Sequence, residues 1–171
     1  MSDTAMPRLT SPVMTDKTTW LTPTAHQKLQ EEYDHLTHEG RRNIEERIAE
    51  ARSHGDLREN ADYDAAKNEQ GMMEARIRQL RHLLENAEVR EAEDTGRVEI
   101  GSIVLAVDSD GDELEYFVAP TENRVPGYLL ASPTSPLGEA LLGAAEGDEV
   151  TYAAPGGEFT LRVIAVRPFE G

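Results

Sequence analysis

The stretch from Glu50 to Gln70 reads EARSHGDLRENADYDAAKNEQ, and at its centre Asp56 and Glu59 stand three residues apart beside Gly55. Two chemistries suit that spacing. An acid followed three residues later by a glutamate matches a capping box, in which the first side chain accepts from the N3 amide and the second accepts from the cap amide. Two neighbouring carboxylates without fixed partners also make a hard, oxygen-rich site suited to Mg²⁺. Two ligands are too few to hold that ion alone, so the second chemistry requires a partner that already supplies metal and phosphate. Other candidate sites are poorer. DSDGDE, opening at Asp108, has carboxylates at alternate positions like a calcium loop, but Glu113 and Ala119 stand where glycine and glutamate are needed. It is read as a solvated hairpin turn. His35 and His38 lack a third metal ligand in register, and His54 is a single imidazole beside the acids.

Two apolar stripes must position Asp56 and Glu59. Leu29, Tyr33, Leu36, Ile44 and Ile48 fall at spacings of three and four or their sums, with Gly40 weakening the stripe midway. Tyr63, Ala66, Met73, Ile77, Leu80, Leu84 and Ala87 repeat the pattern after the HGD connection. Each stripe is too narrow to stay hidden alone, and the connection around Gly55 is short, so the two predict an antiparallel helical hairpin. A turn near residues 55 to 59 sets Ile48 by Gln70, Ile44 against Met73 and Leu36 against Leu80. Roughly 30 residues per arm give a rod of about 45 Å. The seam residues near the tip, Ala51, Ala66 and Gln70, are small or polar, so the tip is slim.

After EAEDTGRVEIG the period changes to two. SIVLAV, LEYFVA, GYLLAS, DEVTYAA and FTLRVIAV read as strands, and SPLGEALLGAAEG as one short helix with Gly147 suited to its C-cap. The fold class is therefore α+β: a tail over residues 1–19, a coiled-coil hairpin over 20–90 with its acidic tip at 55–60, a linker over 91–97, and a small antiparallel sheet with one helix over 98–171. The tail is polar, contains two prolines and offers both Met1 and Met14 as starts.

Composition excludes several classes. The formal charge of −16 opposes binding free nucleic acid over a broad face. That charge is uneven: Arg41 to Arg81 carries nine basic and nine acidic residues, whereas Val98 to the end carries three basic and thirteen acidic. A basic nucleic-acid module is not expected, while the helical part tolerates nearby phosphates. With no cysteine there is no disulfide framework and no thiolate site, and no segment approaches the roughly 20 apolar residues of a membrane span. A soluble cytoplasmic monomer without membrane contact is expected.

IAEARSHGDLRENADYDAAKNEQGMMEARIRQL resembles the tip and arms of the Gre-type bacterial transcript cleavage factors, nearest their GreA branch, and SPTSPLGEALLGAAEGDEV with PGGEFTLRVIAV resembles their C-terminal domain. The likeness runs from Leu21 onward. Asp62 stands where the family often has glutamate, and the first 13 residues have no counterpart. The resemblance implies an FKBP-like second domain and a transcription elongation factor that inserts its coiled coil through the secondary channel of backtracked bacterial RNA polymerase. Asp56 and Glu59 match the two acids that help position Mg²⁺, bound only jointly with the polymerase, and the attacking water. The reaction is hydrolysis of an RNA phosphodiester near the 3′ end, performed by polymerase rather than by this protein.

By the same resemblance, Asn60 and Tyr63 support the tip, Arg52 and Lys67 lie near the extruded RNA, and Ser135 and Pro136 dock on the polymerase rim. Each has a plainer alternative: turn residue, seam residue, surface charge, and helix start. Two other functions stay open. One is a non-cleaving channel binder, against which the intact DLREN stands. The other is a coiled-coil adaptor carrying a peptidyl-prolyl isomerase, which would need an aromatic-lined pocket; residues 98–171 hold six aromatic rings and no tryptophan.

Overall fold

The computed structural model describes residues 18–55 and 57–171, with residues 57–60 described by their backbone alone. The expected tail falls almost wholly on residues 1–17, outside the described residues. The first element, β1 (Thr19–Leu21), leads into helix α1 (Pro23–His35). Thr22 starts that helix by accepting from the Ala25 amide at 3.0 Å, with Pro23 at the first helical position, where its missing N–H costs nothing. A π-helical turn (Leu36–Gly40) joins α1 to α2 (Arg41–His54), and Gly55, at φ +89°, closes α2 in the left-handed conformation that glycine adopts without strain. Helix α3 (Leu57–Glu85) returns.

The π turn explains how an imperfect stripe makes a continuous seam. Leu36 and Ile44 are eight residues apart, which in an unbroken α-helix leaves them about 80° off a shared face. A π turn takes up about one extra residue and brings them back to within roughly 20°. Gly40 sits in that turn because α3 passes close by: a Cβ there would come 3.1 Å from the Met73 sulfur. Ile44, Ile48 and Ala66 pack with Tyr63 and Met73, while Leu21, Ala25, Leu29 and Leu80 pack with Leu36 and Leu84. Ile48 and Gln70 line one cleft. The expected register is the observed one.

Charges on the flanks of the seam reinforce it. Arg41 clasps Glu74 through two bonds of 2.8 and 3.0 Å, Arg76 clasps Glu32 at 2.7 and 2.8 Å, and Arg47 reaches Glu69 at 2.6 Å. The arginine hydrogen bonds hold the Glu74 and Glu32 carboxyls below their ordinary range. Such exposed pairs contribute little stability individually; their geometry is specific for one register.

The second arm ends earlier than the apolar period suggests. Helix α3 stops at Glu85, the chain turns at Asn86, and β2 (Ala87–Val89) pairs parallel with β1, with Thr19 opposite Ala87 and Leu21 opposite Val89. Three-residue strands are too short to show a period, and the Thr19 amide donating to the Asn86 carbonyl at 3.0 Å competes with another helical turn. Strand β1 sends its side chains two ways. Trp20 packs with Ile103, Phe117 and Ala119 of the sheet, and Leu21 packs in the helical seam. Buried Asn123 accepts from the Thr22 amide and donates to the Trp20 carbonyl, both at 2.8 Å.

The main sheet comprises β3 (Ser102–Val107), β4 (Glu113–Val118), β5 (Leu129–Ala131), β6 (Glu149–Ala154) and β7 (Gly157–Pro168), in the order β5-β4-β3-β7-β6. It is antiparallel apart from β4 and β5, which pair parallel. The link between those two strands runs through a 3₁₀ turn (Thr121–Asn123) and carries the chain back towards the end at which β4 began, so a wholly antiparallel sheet is not formed. Val104, Val118, Leu161 and Val163 make the core on one face beneath Leu141 of α4 (Pro136–Leu141). That helix is half the length expected, and Gly147 does not cap it. Gly143 instead donates to the Val98 carbonyl at 2.8 Å, and the Val98 amide donates to the Ala144 carbonyl at 2.8 Å, so pairing with Val98 ends the helix early. DSDGDE forms the β3–β4 turn, with the Asp108 carboxylate accepting from the Asp110 and Asp112 amides at 2.9 Å each. No helix among the described residues is long and apolar enough to cross a membrane.

Ile44→Asp places an unpaired charge at a 4 % exposed seam position and is expected to cost about 3 kcal/mol or more. Circular dichroism should show lost helicity with the sheet retained. Asn123→Ala strips partners from a buried amide and a buried carbonyl, and urea unfolding should show about 2–4 kcal/mol lost.

Candidate functional site

Asp56, the first tip acid, lies outside the described residues, and of Glu59 and Asn60 only the helical backbone is described. Helix α2 ends at His54, Gly55 follows in the left-handed conformation, and α3 has begun by Leu57, so Glu59 lies in the first turn of α3. Helix α3 alone has 29 residues, about 43 Å of rise, and its partner arm shares almost all of that length.

The described residues nearest the connection form an ordered cluster. Arg52 donates from Nη2 to the Tyr63 phenol oxygen at 3.4 Å, and its guanidinium carbon lies 5.5 Å from the ring centre. Tyr63 in turn packs against Ile44, Ile48 and Ala66. The Arg52 hydrogen bond lowers the Tyr63 phenol from its ordinary pKa, with the charges of Arg52 and Lys67 acting in the same direction. Lys67 is exposed and donates to Gln70 of its own helix at 3.0 Å. Arg52 and Lys67 line a cleft of about 470 Å³ with Ile48, Ala49, Gln70 and Glu45. The structure therefore brings Arg52, Tyr63 and Lys67 together.

Ser135 and Pro136 sit far along the chain at the start of α4. Ser135 Oγ accepts from the Gly138 amide at 3.1 Å and donates to the Ser132 carbonyl at 2.7 Å, and Pro136 occupies the first turn. Both are accounted for as a helix start. Gly138 completes the motif, since a Cβ there would overlap the Ser132 carbonyl oxygen. The rings of Phe117, Tyr128 and Phe169 share one packed cluster with Trp20. Among the described residues no group of three or more His, Cys, Asp or Glu is placed to hold a metal ion.

Sequence patterning missed the arginine–glutamate pairs along the arms and Asn123. The arm pairs were recoverable, because an antiparallel register that opposes Ile44 and Met73 also brings Arg41 to Glu74. Nothing local marks Asn123, whose partners lie 101 and 103 residues away.

Residues 19–89 match the family described as "Transcription elongation factor, N-terminal", and residues 93–168 match "Transcription elongation factor, GreA/GreB, C-term". The Transcription elongation factor GreA of Streptomyces coelicolor is 42% identical over 160 residues, covering 91% of this chain and 97% of its own. The protein of the same name from Mycobacteroides abscessus is 43% identical over 163 residues, covering 91% and 99%. Among solved structures, the crystal structure of GreA factor homolog 1 (Gfh1) of Thermus thermophilus matches at 29% identity and a TM-score of 0.41, over 87% of this chain and 98% of that one.

The two perturbed phenols provide a direct check on the cluster. Burial pushes Tyr116 up, whereas Arg52 draws Tyr63 down. In an alkaline titration followed by NMR of ring-labelled tyrosine, Tyr63 is expected to lose its proton before Tyr116. Arg52→Gln should move Tyr63 upward and leave Tyr116 where it was.

Proposed function

Because the chain belongs to the GreA/GreB family of transcription elongation factors, we propose that it inserts its helical hairpin into the secondary channel of bacterial RNA polymerase and stimulates the polymerase to cleave backtracked RNA. The observation that carries this reading is the match of both halves of the chain, in order, to relatives named transcription elongation factors that it covers almost from end to end. A slender rod with two acids at its far end is suited to reach a buried active centre. The surface of residues 98–171, rich in acids, stays outside and docks on the channel rim, with the Ser135–Pro136 turn at the contact. The protein works in the cytoplasm, as a monomer, and is a cofactor of the reaction.

Asp56 and Glu59 suit Mg²⁺ by donor type, since a hard cation prefers carboxylate oxygen, and fall short of it by number. They fit an ion held jointly with polymerase and not by this chain alone. When bound, such an ion activates water for phosphodiester hydrolysis and stabilises the charge that develops on the displaced oxygen. This chain's own part is to bring the two carboxylates to the place, Glu59 being carried in the first turn of α3. The cleft lined by Arg52 and Lys67 faces the extruded 3′ end, where cations favour phosphate.

Substitutions that keep shape but remove charge separate this role from capping. Asparagine caps a helix as well as aspartate, and glutamine also serves at N3. Asp56→Asn and Glu59→Gln are each expected to retain normal melting and normal competition for the polymerase channel. Each should lower stimulated cleavage of labelled RNA in a backtracked complex by about tenfold or more, equivalent to about 1.4 kcal/mol of barrier, with partial relief at raised Mg²⁺. Unchanged cleavage in both variants would leave the two acids as helix caps. A wild-type protein that competes for the channel without stimulating cleavage would be a non-cleaving channel binder.

A further inference from the structure

Arg52 and Lys67 line one cleft, yet they are held in different ways. Arg52, two residues before the end of α2, reaches across the hairpin and both stacks on and donates to Tyr63 of α3. Its planar guanidinium is matched to that double contact, which an ammonium group cannot reproduce. The contact lies nearer the tip connection than the Arg47–Glu69 pair, at a level where Ala51 and Ala66 make the seam narrow. Lys67 touches Gln70, three residues on in its own helix; an ammonium carries three donors, so two more remain for another acceptor.

We propose that Arg52 is a positioning residue, which ties α2 to α3 through Tyr63 at the root of the tip. The cleavage arm of its test rests on the channel-insertion reading. The tie itself concerns the free protein. Holding the helix ends together at this level limits how far they splay, and any splay is carried directly to the connection that joins them. A guanidinium already seated on a phenol would have to leave it before meeting a phosphate, whereas the Lys67 ammonium would exchange one exposed amide contact.

The test is a cycle of full-length variants, Arg52→Gln, Tyr63→Leu and the pair, assayed with backtracked polymerase carrying labelled RNA. A positioning role predicts that each single change lowers stimulated cleavage roughly fivefold, the scale of an exposed cation–π contact. The pair should be no worse than either alone, and Arg52→Lys should fail to restore activity. Lys67→Gln should multiply with Arg52→Gln, and its effect should fade as salt is raised. Multiplying effects in the Arg52 and Tyr63 pair, together with rescue by Arg52→Lys, would overturn the proposal and make Arg52 a phosphate contact. Hydrogen exchange of the free protein supplies an arm that needs no polymerase. Amides at residues 61–64 should exchange faster in Arg52→Gln and Tyr63→Leu to the same extent, and unchanged in Lys67→Gln. Unaltered exchange in the first two would reject the tie whatever the cleavage assay shows, and a wild type that stimulates no cleavage would reject the channel reading while leaving the tie to this measurement.

Discussion

The orientation of the rod depends on one strand of three residues. Strand β1 points Trp20 into the sheet and Leu21 into the helical seam, and adjacent residues of a strand can do this because their side chains leave on opposite faces. Burying each large apolar side chain contributes roughly 2–3 kcal/mol, so turning the rod about this joint would expose one of them. Between the two, the backbone carbonyl of Trp20 and the amide of Thr22 are left in an apolar place, and Asn123 satisfies both. An asparagine suits the task because its side chain offers a donor and an acceptor at once. The same joint starts α1, since Thr22 caps that helix.

From this joint outward, the hairpin must keep its register over about 40 Å with a seam only one or two side chains wide. Apolar contact tolerates slippage; paired ions at fixed levels do not. The clasps of Arg76 on Glu32 and Arg41 on Glu74 sit along the arms where a slip of one turn would separate every pair. The π turn at Leu36–Gly40 serves the same end by rotating α2 back onto the face that α1 set. Gly40 leaves room for Met73 at that level, so the residue that weakens the apolar stripe is the one that lets the two arms approach.

Charge is divided along the chain in a way that fits two kinds of surroundings. The arms balance their basic and acidic residues, much of the balance being consumed in pairs between helices. The sheet half is strongly acidic, a composition that opposes binding to nucleic acid. On the arms, Lys67 donates to a neighbour in its own helix, while Arg52 is bound across the seam. Two cations of equal formal charge are thereby placed under different constraints.

Helical periodicity by itself determined the hairpin, its register and the place of the tip, because Ile44, Met73, Leu36 and Leu80 must share a narrow seam and a short connection permits only antiparallel arms. Alternation determined the strands from Ser102 to Pro168 in the same way, and the turn at Asp108 followed from its aspartates and glycine. The tip acids were legible as a motif, GDLREN, and the role proposed for them comes from family resemblance. Only tertiary structure decided the rest. The early end of α3, the parallel pairing of β1 with β2 and of β4 with β5, and the short α4 all depend on backbone partners far away in sequence, which leave no local period. The π turn was hidden because a spacing of eight looks the same whether or not an extra residue is absorbed. Asn123 and the seating of Arg52 on Tyr63 belong to the same class: a polar side chain declares its chemistry in the sequence, but its partner is chosen by the fold that brings distant groups within a hydrogen bond.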